Sequence, residues 1–594
     1  MRDAASPTHD RPIADYGMLA DGRSAALVAI DGSVDWWCPD RFDGPSIFAR
    51  LLDAAGGHWS LRPVDPFRVE RRYLDGSLAI QSTVVTDRGA ARLTDVLLLA
   101  GDASAHDVGR GSPACLARVV EGIEGHIDWT MELVARPDYG RTTVEIRRQD
   151  GGLSLSWSDG AMQLLGNAAM EGRRDGVITG DFTLGPGDRR WMCLGATSTA
   201  GGDAVDRTVA SWRTWSVPHA NELWDEPGIA TSALVMRGLT DGVTGAIIAA
   251  PTTSLPEIVG GAANWDYRYG WLRDASFTVR ALSTATCPDE TSVYFRWMAG
   301  VARSSGEATP VVFRPDGSRD LDEQVLDHLA GWRGSRPVRV GNDAHRQTQL
   351  DVPGEILASA ALLGPAVLDV ELAGFLAGQA DLAARRWHEP DSGIWEGREG
   401  ERHYVSSKVM CWVALDRACR LADHLGHSQD APRWAAARDT IRQTVLTDGW
   451  HAGRLAFTGA FGSDHLDASV LLLPLVGFLP ADDERMLATL AAIEGELVSG
   501  GLVHRWTGAE DAPFAMCSFW LAECYARAGR VERAIEVLNA ARGGANDLGL
   551  LAEEIDPGSG ELLGNFPQVL SHAGLVNATA RIRRAANRGG EVDG

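Results

Sequence analysis

The spacing of apolar residues changes once along this chain, near Trp212, and that change limits the folds that the chain can adopt. Before this point, short β-branched or aromatic segments such as LAIQSTVVTD and TTVEIRRQDGGLSLSWSDG are separated by Gly, Asp and Asn. From Ile229 onward, apolar residues recur at intervals of three and four in ten longer segments, from TSALVMRGLTD to VERAIEVLNAARG. The first pattern is typical of strands and the second of helices, so the sequence predicts an antiparallel β-sandwich followed by an all-α domain.

The predicted boundaries divide the 594 residues into four parts. Residues 1–12 are expected to form a flexible tail, 13–211 the β-sandwich domain, 212–228 a linker with one helix, and 229–588 the helical domain. Asp-Gly turns in IDGSV and RQDGGLSL predict hairpins in the first domain. The ten helical segments, TGAIIAAPTT and the C-terminal LSHAGLVNATARIRRAAN together predict about twelve helices, arranged as six hairpins in a toroid.

Charge and cysteine content exclude several classes of function. Acidic residues outnumber basic ones 80 to 56, and this net charge of -24 argues against nucleic-acid binding, which needs clustered positive charge. The sequence has no basic amphipathic anchor, no apolar run of roughly 18 residues and no N-terminal signal peptide, so no membrane association is expected. Eight scattered cysteines without a CxxC pair predict free thiols in a cytoplasmic protein, with no metal site and no cofactor.

Two residue counts bear on function. Tryptophan occurs 20 times, more often than Phe or Tyr, and indoles stack on sugar rings as well as filling cores. Of the 56 Lys and Arg residues, only Lys408 is a lysine. Either this lysine survives by chance, or its position requires a compact ammonium that the planar arginine fork cannot replace.

The segment NWDYRYGWLRDASF, residues 264–277, concentrates aromatic, basic and acidic side chains just before a predicted helix. Asp274 alone could be a helix-capping residue. Capping does not account for Tyr267, Trp271 and Arg273 beside it. An Arg-Asp pair next to aromatic rings offers donors, acceptors and a stacking surface, which is the combination that a pyranose needs.

Two further segments supply carboxyl groups. Glu396 follows Trp395 in GIWEGREGER, and an adjacent indole can desolvate a carboxyl and so favour the protonated form of a general acid. Glu399 and Glu401 are its rivals in a more charged stretch, and a surface role for Glu396 remains the alternative.

The second carboxyl segment is LGLLAEEIDPGSGELLGNF, which contains the adjacent pair Glu553 and Glu554. Neighbouring side chains of an extended segment point in opposite directions, so only one of the two can face a pocket. Together with the segments above, this pattern indicates glycoside hydrolysis, which needs one protonated and one ionised carboxyl on either side of an acetal. No phosphate-binding Gly-rich loop or GxSxG motif competes with this interpretation.

Four long motifs resemble glycoside hydrolase family 15, which includes glucoamylases and bacterial trehalases. They are NWDYRYGWLRDASF, GIWEGREGERHYVSSKVMCWVALDRA, PFAMCSFWLAECYARAG and LLAEEIDPGSGELLGNFPQVLSHAGL. The N-terminal IADYGMLADGRSAALVAIDGSVDWWCPDRFD is similar to the start of the bacterial members, so the resemblance covers essentially the whole chain. It implies an N-terminal antiparallel β-supersandwich followed by an (α/α)6 barrel.

The resemblance also implies roles for single residues. Glu396 matches the general acid of the family and Glu553 its general base. Further matches are the residues expected around the substrate, which are Tyr267, Trp271, Arg273, Asp274, Trp395 and Arg505. This sequence departs from the family pattern at Gly270, where Cys is frequent, and at Pro353, where Tyr is more usual, and both departures bear on which substrate is bound.

These features predict an inverting, exo-acting α-glucoside hydrolase that releases β-glucose, with trehalose as the leading substrate. The alternatives are a glucoamylase or an isomaltose or short α-glucan hydrolase, an inverting sugar phosphorylase, and a non-catalytic glucan-binding protein. The expected partner is a small α-glucoside or oligosaccharide, and a homo-oligomer is compatible with the sequence. Lys408 is expected in the first turn of a helix near the catalytic end, paired with a pocket carboxylate or a substrate hydroxyl.

Overall fold

A two-sheet domain occupies the N-terminal third of the chain. The computed structural model describes residues 1–3 and 10–590, with the exception of 150, 174, 196–202, 287, 306–308 and 399. The strands of this domain are β1 Arg2–Asp3, β2 Tyr16–Ala20, β3 Ala25–Ala29, β4 Ser33–Trp37, β5 His58–Pro63, β6 Arg68–Tyr73, β7 Ile80–Thr86, β8 Gly89–Leu97, β9 Cys115–Gly125, β10 Ile127–Val134, β11 Glu145–Gln149, β12 Gly152–Trp157, β13 Gly160–Gly166, β14 Glu171–Gly172, β15 Val177–Leu184 and β16 Arg189–Gly195.

These strands form the predicted antiparallel sandwich. One sheet has the order β1-β6-β7-β8-β9-β16-β13-β12-β11 and the other the order β14-β15-β10-β5-β4-β3-β2. Arg118 of β9 is fully buried and lies 5.2 Å from the ring of Trp59 in β5, so the two sheets meet at this pair. The predicted Asp31-Gly32 turn joins β3 to β4, with Gly32 at a φ of 82° that favours glycine. A second predicted hairpin joins β11 to β12, although Asp150 of its turn lies outside the described residues.

Two predicted boundaries of this domain differ from the structure. Of the predicted flexible tail, residues 4–9 lie outside the described part, whereas Arg2 and Asp3 pair with β6 and Arg11 is buried against Asp31. The helix of the predicted linker begins at Ala204, so the boundary at 211/212 falls inside it. Its first residues cover the outer face of the nine-stranded sheet, and this apolar contact extends the helix upstream.

Twelve helices of the described chain follow the first one, α1 Ala204–His219, and form the second domain. They are α2 Ile229–Gly238, α3 Leu272–Ala285, α4 Pro288–Ser305, α5 Val352–Leu363, α6 Val370–Arg386, α7 Val405–Leu425, α8 Ala431–Asp448, α9 Leu472–Leu475, α10 Glu484–Glu496, α11 Ala515–Arg527, α12 Val531–Arg542 and α13 Val569–Gly590.

The odd-numbered helices from α3 to α13 form a closed inner ring. Each of these six helices packs on the next, and α13 packs on α3. Outside the ring, α2 packs on α3 and α13, α4 on α3 and α5, α6 on α5 and α7, α8 on α7, and α12 on α11 and α13. The sixth outer helix, α10, packs on a short strand of the connection before α9. This is the expected (α/α)6 barrel.

The predicted number of helices is right, but one of the predicted helices does not form. TGAIIAAPTT is extended, because the N–H groups of Ala249 and Ala250 donate to the carbonyl groups of Tyr269 and Tyr267 instead of closing helical turns. The twelfth member is α9, whose four residues are too short to show a helical period.

Five two-stranded ribbons connect the helices on the barrel, formed by β17 Gly270–Trp271 with β18 Val312–Phe313, β19 Gln324–Val325 with β20 Arg339–Val340, β21 Trp450–His451 with β22 Ala456–Phe457, β23 Val498–Ser499 with β24 Leu502–Val503, and β25 Glu554–Ile555 with β26 Leu562–Leu563. Among the described residues, no helix combines the length and the apolar character that crossing a bilayer requires.

The sheet domain supports the first loop of the barrel. Arg268 is 1% exposed and donates to both carboxylate oxygens of Asp266, at 2.8 and 2.7 Å. Its guanidinium also donates to the carbonyl of Gly44 and to the hydroxyl of Tyr139, both in the sheet domain. The loop before α3 is therefore held from both domains.

Candidate active site

Eight of the nine predicted site residues line one pocket. The lining residues lie in the loops that precede α3, α7, α11 and α13 or in the first two turns of these helices. The positive ends of four inner helices therefore meet at this end of the barrel. The predicted residues in the lining are Tyr267, Trp271, Arg273, Asp274, Trp395, Glu396, Arg505 and Glu553.

Glu396 is held by hydrogen bonds to one of its two carboxylate oxygens. Its Oε1 accepts from Trp271 Nε1 at 2.7 Å, from Arg273 at 3.1 Å and from Gln349 at 3.5 Å. The backbone of Glu396 has a φ of 57°, an unusual conformation for a residue with a side chain. Because Oε1 accepts all three bonds, Oε2 is the oxygen that can carry a transferable proton.

Arg273 and Asp274 form a partly buried pair beside Glu396. Arg273 donates to Asp274 at 3.2 Å and to the carbonyl of Ile394 at 2.8 Å. Burial raises the pKa of Asp274, and the adjacent Arg273 opposes that change. Asp274 lies in the first turn of α3, and within the described part of the chain no side-chain hydrogen bond caps this helix, so Asp274 is not its capping residue.

The indole that contacts Glu396 is Trp271, whereas the sequence pointed to Trp395. The Nε1 of Trp395 donates to Asp467 at 2.9 Å instead. The Trp395 ring lies 6.2 Å from that of Trp506, 5.9 Å from Phe514 and 6.2 Å from Trp520. Trp395 thus belongs to an aromatic wall, and Asp467 fixes the orientation of its ring.

Glu553 lies in a more enclosed setting than Glu396. It is 2% exposed, and its Oε1 accepts a 2.7 Å hydrogen bond from the hydroxyl of Tyr267. Burial and, next, the nearby Glu257 raise the pKa of Glu553 to about 8, while Arg505 and the Tyr267 hydroxyl oppose this rise. The rings of Tyr267 and Trp271 meet edge to face at 5.5 Å, which connects the surroundings of the two carboxyls.

Glu554 points away from the pocket. It begins β25, is fully buried and accepts a 3.0 Å hydrogen bond from Arg505 through Oε1. The structure thus places Glu553 alone of the pair in the pocket lining, in line with the alternation of an extended segment. Two other glutamates were considered as alternatives to Glu396. Of these, Glu401 is exposed and Glu399 lies outside the described residues.

Arg505 joins the pocket to an acidic cluster that sequence reasoning missed. Its guanidinium bonds Glu257, Asp511 and Glu554. The oxygens of these three carboxylates lie close enough together for a metal ion, but the guanidinium already supplies the positive charge between them. Glu257 and Arg505 are 248 positions apart in the sequence. The sequence could have paired them only if the segment that ends at Glu257, TTSLPE, had been placed in the loop beside Glu553.

Lys408 is the one predicted residue that the structure does not bring into the pocket lining. It lies in the first turn of α7 as expected, but its side chain is fully buried and its ammonium donates to the carbonyl of Glu389. Burial lowers the pKa of Lys408. Its partner is a main-chain carbonyl and not a pocket carboxylate, because the loop between α6 and α7 folds back over the start of α7.

Comparisons with known proteins assign the chain to a family. The model of glycosyl hydrolases family 15 matches residues 228–580, and that of a trehalase-like N-terminal domain matches residues 5–170. The chain belongs to glycosyl hydrolases family 15. It is therefore a glycoside hydrolase, and the resemblance read from its motifs is confirmed.

The similarity to family 15 relatives extends over nearly the whole chain. A trehalase of Mycolicibacterium smegmatis is 37% identical over 98% of this chain and 93% of its own length. A trehalase of Thermoplasma volcanium is 32% identical over 96% of this chain and 93% of its own. The structure of a bacterial glucoamylase in complex with acarbose has a TM-score of 0.73 and 12% identity, and covers 98% of this chain and 96% of its own; it supports the fold.

The two departures from the family 15 motifs lie at different places. Gly270 packs against Trp297, and a Cβ at this glycine would lie 2.7 Å from the indole, so a larger residue needs a different neighbour. Pro353 lines a second pocket, together with Gln349 and Cys411. Gln349 also donates to Glu396, so this second pocket adjoins the residues that hold Glu396.

Proposed function

We propose that this family 15 enzyme is an inverting, exo-acting α,α-trehalase. The observation that carries the proposal is that Glu396 and Glu553 line one pocket from different loops, joined by the edge-to-face contact of Trp271 and Tyr267. Two carboxyls in different environments are what acid-base cleavage of an acetal needs.

Glu396 is the general acid of the proposed mechanism. Its Oε2 donates a proton to the glycosidic oxygen while the bond from that oxygen to the anomeric carbon breaks. Trp271 and Arg273 hold Oε1, so the carboxyl keeps one orientation during the transfer. The first glucose leaves with the donated proton.

Glu553 is the general base and removes a proton from the attacking water. The Tyr267 hydroxyl donates to its Oε1, and its buried Oε2 lies against Gly564, so the carboxyl is held in one orientation while it accepts this proton. With its pKa raised to about 8, Glu553 is a strong proton acceptor once it is ionised, so activity should rise with pH towards that value. The hydroxyl of the water adds to the anomeric carbon and gives β-glucose.

The identity of the relatives supports trehalose over other α-glucosides. Relatives named trehalase match both domains of this chain, and the N-terminal domain matches a trehalase-like model of its own. The cytoplasmic location belongs to the same proposal, supported by thiols that are unpaired at the seven described cysteines.

A panel of substrates tests the proposal. We expect glucose release from trehalose at a kcat/KM at least tenfold above that for maltose, isomaltose and maltoheptaose. A preference for maltoheptaose or isomaltose would replace trehalase with the glucoamylase or isomaltose alternative. With trehalose, proton NMR of the first products should show α- and β-glucose in equal amounts, because only the attacked anomeric carbon inverts and the leaving glucose keeps its α configuration. First products that are α-glucose alone would overturn the inverting mechanism. A requirement for phosphate, with glucose 1-phosphate as product, would indicate the phosphorylase.

A further inference from the structure

The acidic cluster around Arg505 holds more negative than positive charge. Glu257, Asp511 and Glu554 are 6%, 7% and 0% exposed, and all three bond the one guanidinium. Arg505 Nε donates to Asp511 at 2.6 Å, and a second nitrogen donates to Glu554 at 3.0 Å. One positive charge cannot balance three buried carboxylates, and burial raises the pKa of Glu554 well above its usual value.

The loop that carries Glu257 lies directly against Glu553. The carbonyl of Pro256 accepts a 2.8 Å hydrogen bond from the N–H of Gly564. Gly564 in turn packs on the carboxylate, because a Cβ at this glycine would lie 2.6 Å from Glu553 Oε2. The loop that carries Glu257 and the loop that packs on Glu553 are thus joined by a backbone hydrogen bond, and Glu257 is near enough for its charge to act on Glu553.

We propose that Glu257 is a positioning residue that holds Arg505 in the pocket wall and governs the protonation of Glu553 through its negative charge. Glu257 does not line the pocket, so it acts on the reaction through these two residues. The kinetic part of this inference rests on the proposed function, whereas the electrostatic part concerns the folded chain alone.

The sign of the effect follows from every charged or donating group that faces Glu553. These groups are Glu257, Arg505, Glu554, the hydroxyl of Tyr267 and the backbone N–H of Asn565. Replacing Glu257 by Gln removes a repelling charge and leaves Arg505 less neutralised. Both changes favour the ionised form of Glu553, so its pKa should fall.

The pH dependence of kcat/KM tests this inference. In Glu257→Gln, the acidic limb of the profile should move to lower pH by about one unit, because the base stays ionised further into acid. Asp511→Asn removes an equal charge from Arg505, but Asp511 is not among the largest causes of the pKa shift of Glu553, so its limb should move by less than half as much. Glu257→Asp should keep the wild-type limb, and the exposed Glu371→Gln serves as the control variant.

Thermal unfolding gives a readout that does not require activity. The raised pKa of Glu553 means that the folded chain holds a proton that the unfolded chain releases above its ordinary value of 4.5. The stability from this proton is present at low pH and is lost as the pH rises through about 8. The fall in Tm from pH 5 to pH 8 should therefore be smaller in Glu257→Gln than in wild type.

The two readouts separate the inference from the proposed function. If wild type cleaves no α-glucoside but the Tm difference shrinks in Glu257→Gln, the proposed function fails and the charge coupling stands. An unchanged limb and an unchanged Tm difference would overturn the inference. If Glu257→Gln does not fold, Glu257→Asp provides the test. An acidic limb at the wild-type pH in this variant supports a role of the charge, whereas a limb shifted as in Asp511→Asn contradicts it.

Discussion

Glu396 and Glu553 share a pocket but are held in place by different means. Glu396 is fixed by three donors on one oxygen, in a loop whose backbone adopts an unusual φ. Glu553 is fixed by burial, by one hydroxyl and by a glycine packed on its carboxylate. The comparison teaches that one carboxyl depends on hydrogen bonds and the other on packing, so different substitutions should disable each.

The largest effects should come from the carboxyls themselves. We expect Glu396→Gln and Glu553→Gln each to lower kcat by about 10² to 10⁴-fold, because each removes a proton transfer that the other residue cannot perform. Steady-state kinetics measure this, with circular dichroism to show that the fold is intact. Glu401→Gln, at an exposed position, should keep wild-type activity. Near-normal turnover in either pocket variant would remove that residue from its role.

Gly564→Ala tests whether packing holds Glu553. The added Cβ would lie 2.6 Å from Glu553 Oε2, and the glycine has a φ of 73°. We expect kcat to fall by about 10²-fold, the cost of displacing a reacting group by roughly 1 Å. Gly560→Ala is a matched control, since Gly560 has the same φ but nothing lies within 4 Å of its added Cβ. Equal losses in the two variants would attribute the effect to backbone strain instead.

Removing one donor on each side sharpens the comparison. Trp271→Phe deletes a hydrogen bond to Glu396, and we expect kcat to fall by about tenfold or more, as for other bonds to charged groups.

Tyr267→Phe deletes a donor that lowers the pKa of Glu553, so the acidic limb of the pH profile should move to higher pH. A limb that moves to lower pH in Tyr267→Phe would contradict the assignment of Glu553 as the base.

The smallest effect on activity is expected at Lys408. Arginine is longer and would overfill the buried site of the ammonium, which costs about 1–3 kcal/mol of stability. We expect Lys408→Arg to lower the Tm while kcat/KM stays within about threefold of wild type, since Lys408 does not line the pocket. A large loss of activity at unchanged Tm would restore the role in substrate binding that the sequence suggested.

Local sequence patterns predicted the fold and most of the pocket, because they carry the information within single segments. The order of strands and helices, the first-turn position of Lys408 and the opposite orientation of Glu553 and Glu554 all follow from spacing along the chain. The number of helices agreed because one wrongly predicted helix offset one missed helix. Both errors arose because short apolar segments do not show which backbone conformation they adopt.

Long-range partners could not be predicted in this way. Which indole contacts Glu396 depends on a hydrogen bond between residues 125 positions apart, whereas Trp395 is its neighbour in sequence. Glu257 and Asp511 resemble ordinary acidic loop residues until the fold brings them to Arg505. Motif resemblance identified Arg505 itself, but not the carboxylates that surround it.

The hydrogen bonds of Arg268 to both domains limit whether the barrel of this enzyme can be separated from the sheet domain. The barrel alone would contain a guanidinium that has lost the carbonyl of Gly44 and the hydroxyl of Tyr139 while remaining paired with Asp266. The same loop continues to Trp271, three residues further on, which donates to the proposed general acid Glu396, so a displaced loop would also displace this donor. The two domains therefore form a single catalytic unit, and a change at their interface should alter turnover without touching the pocket.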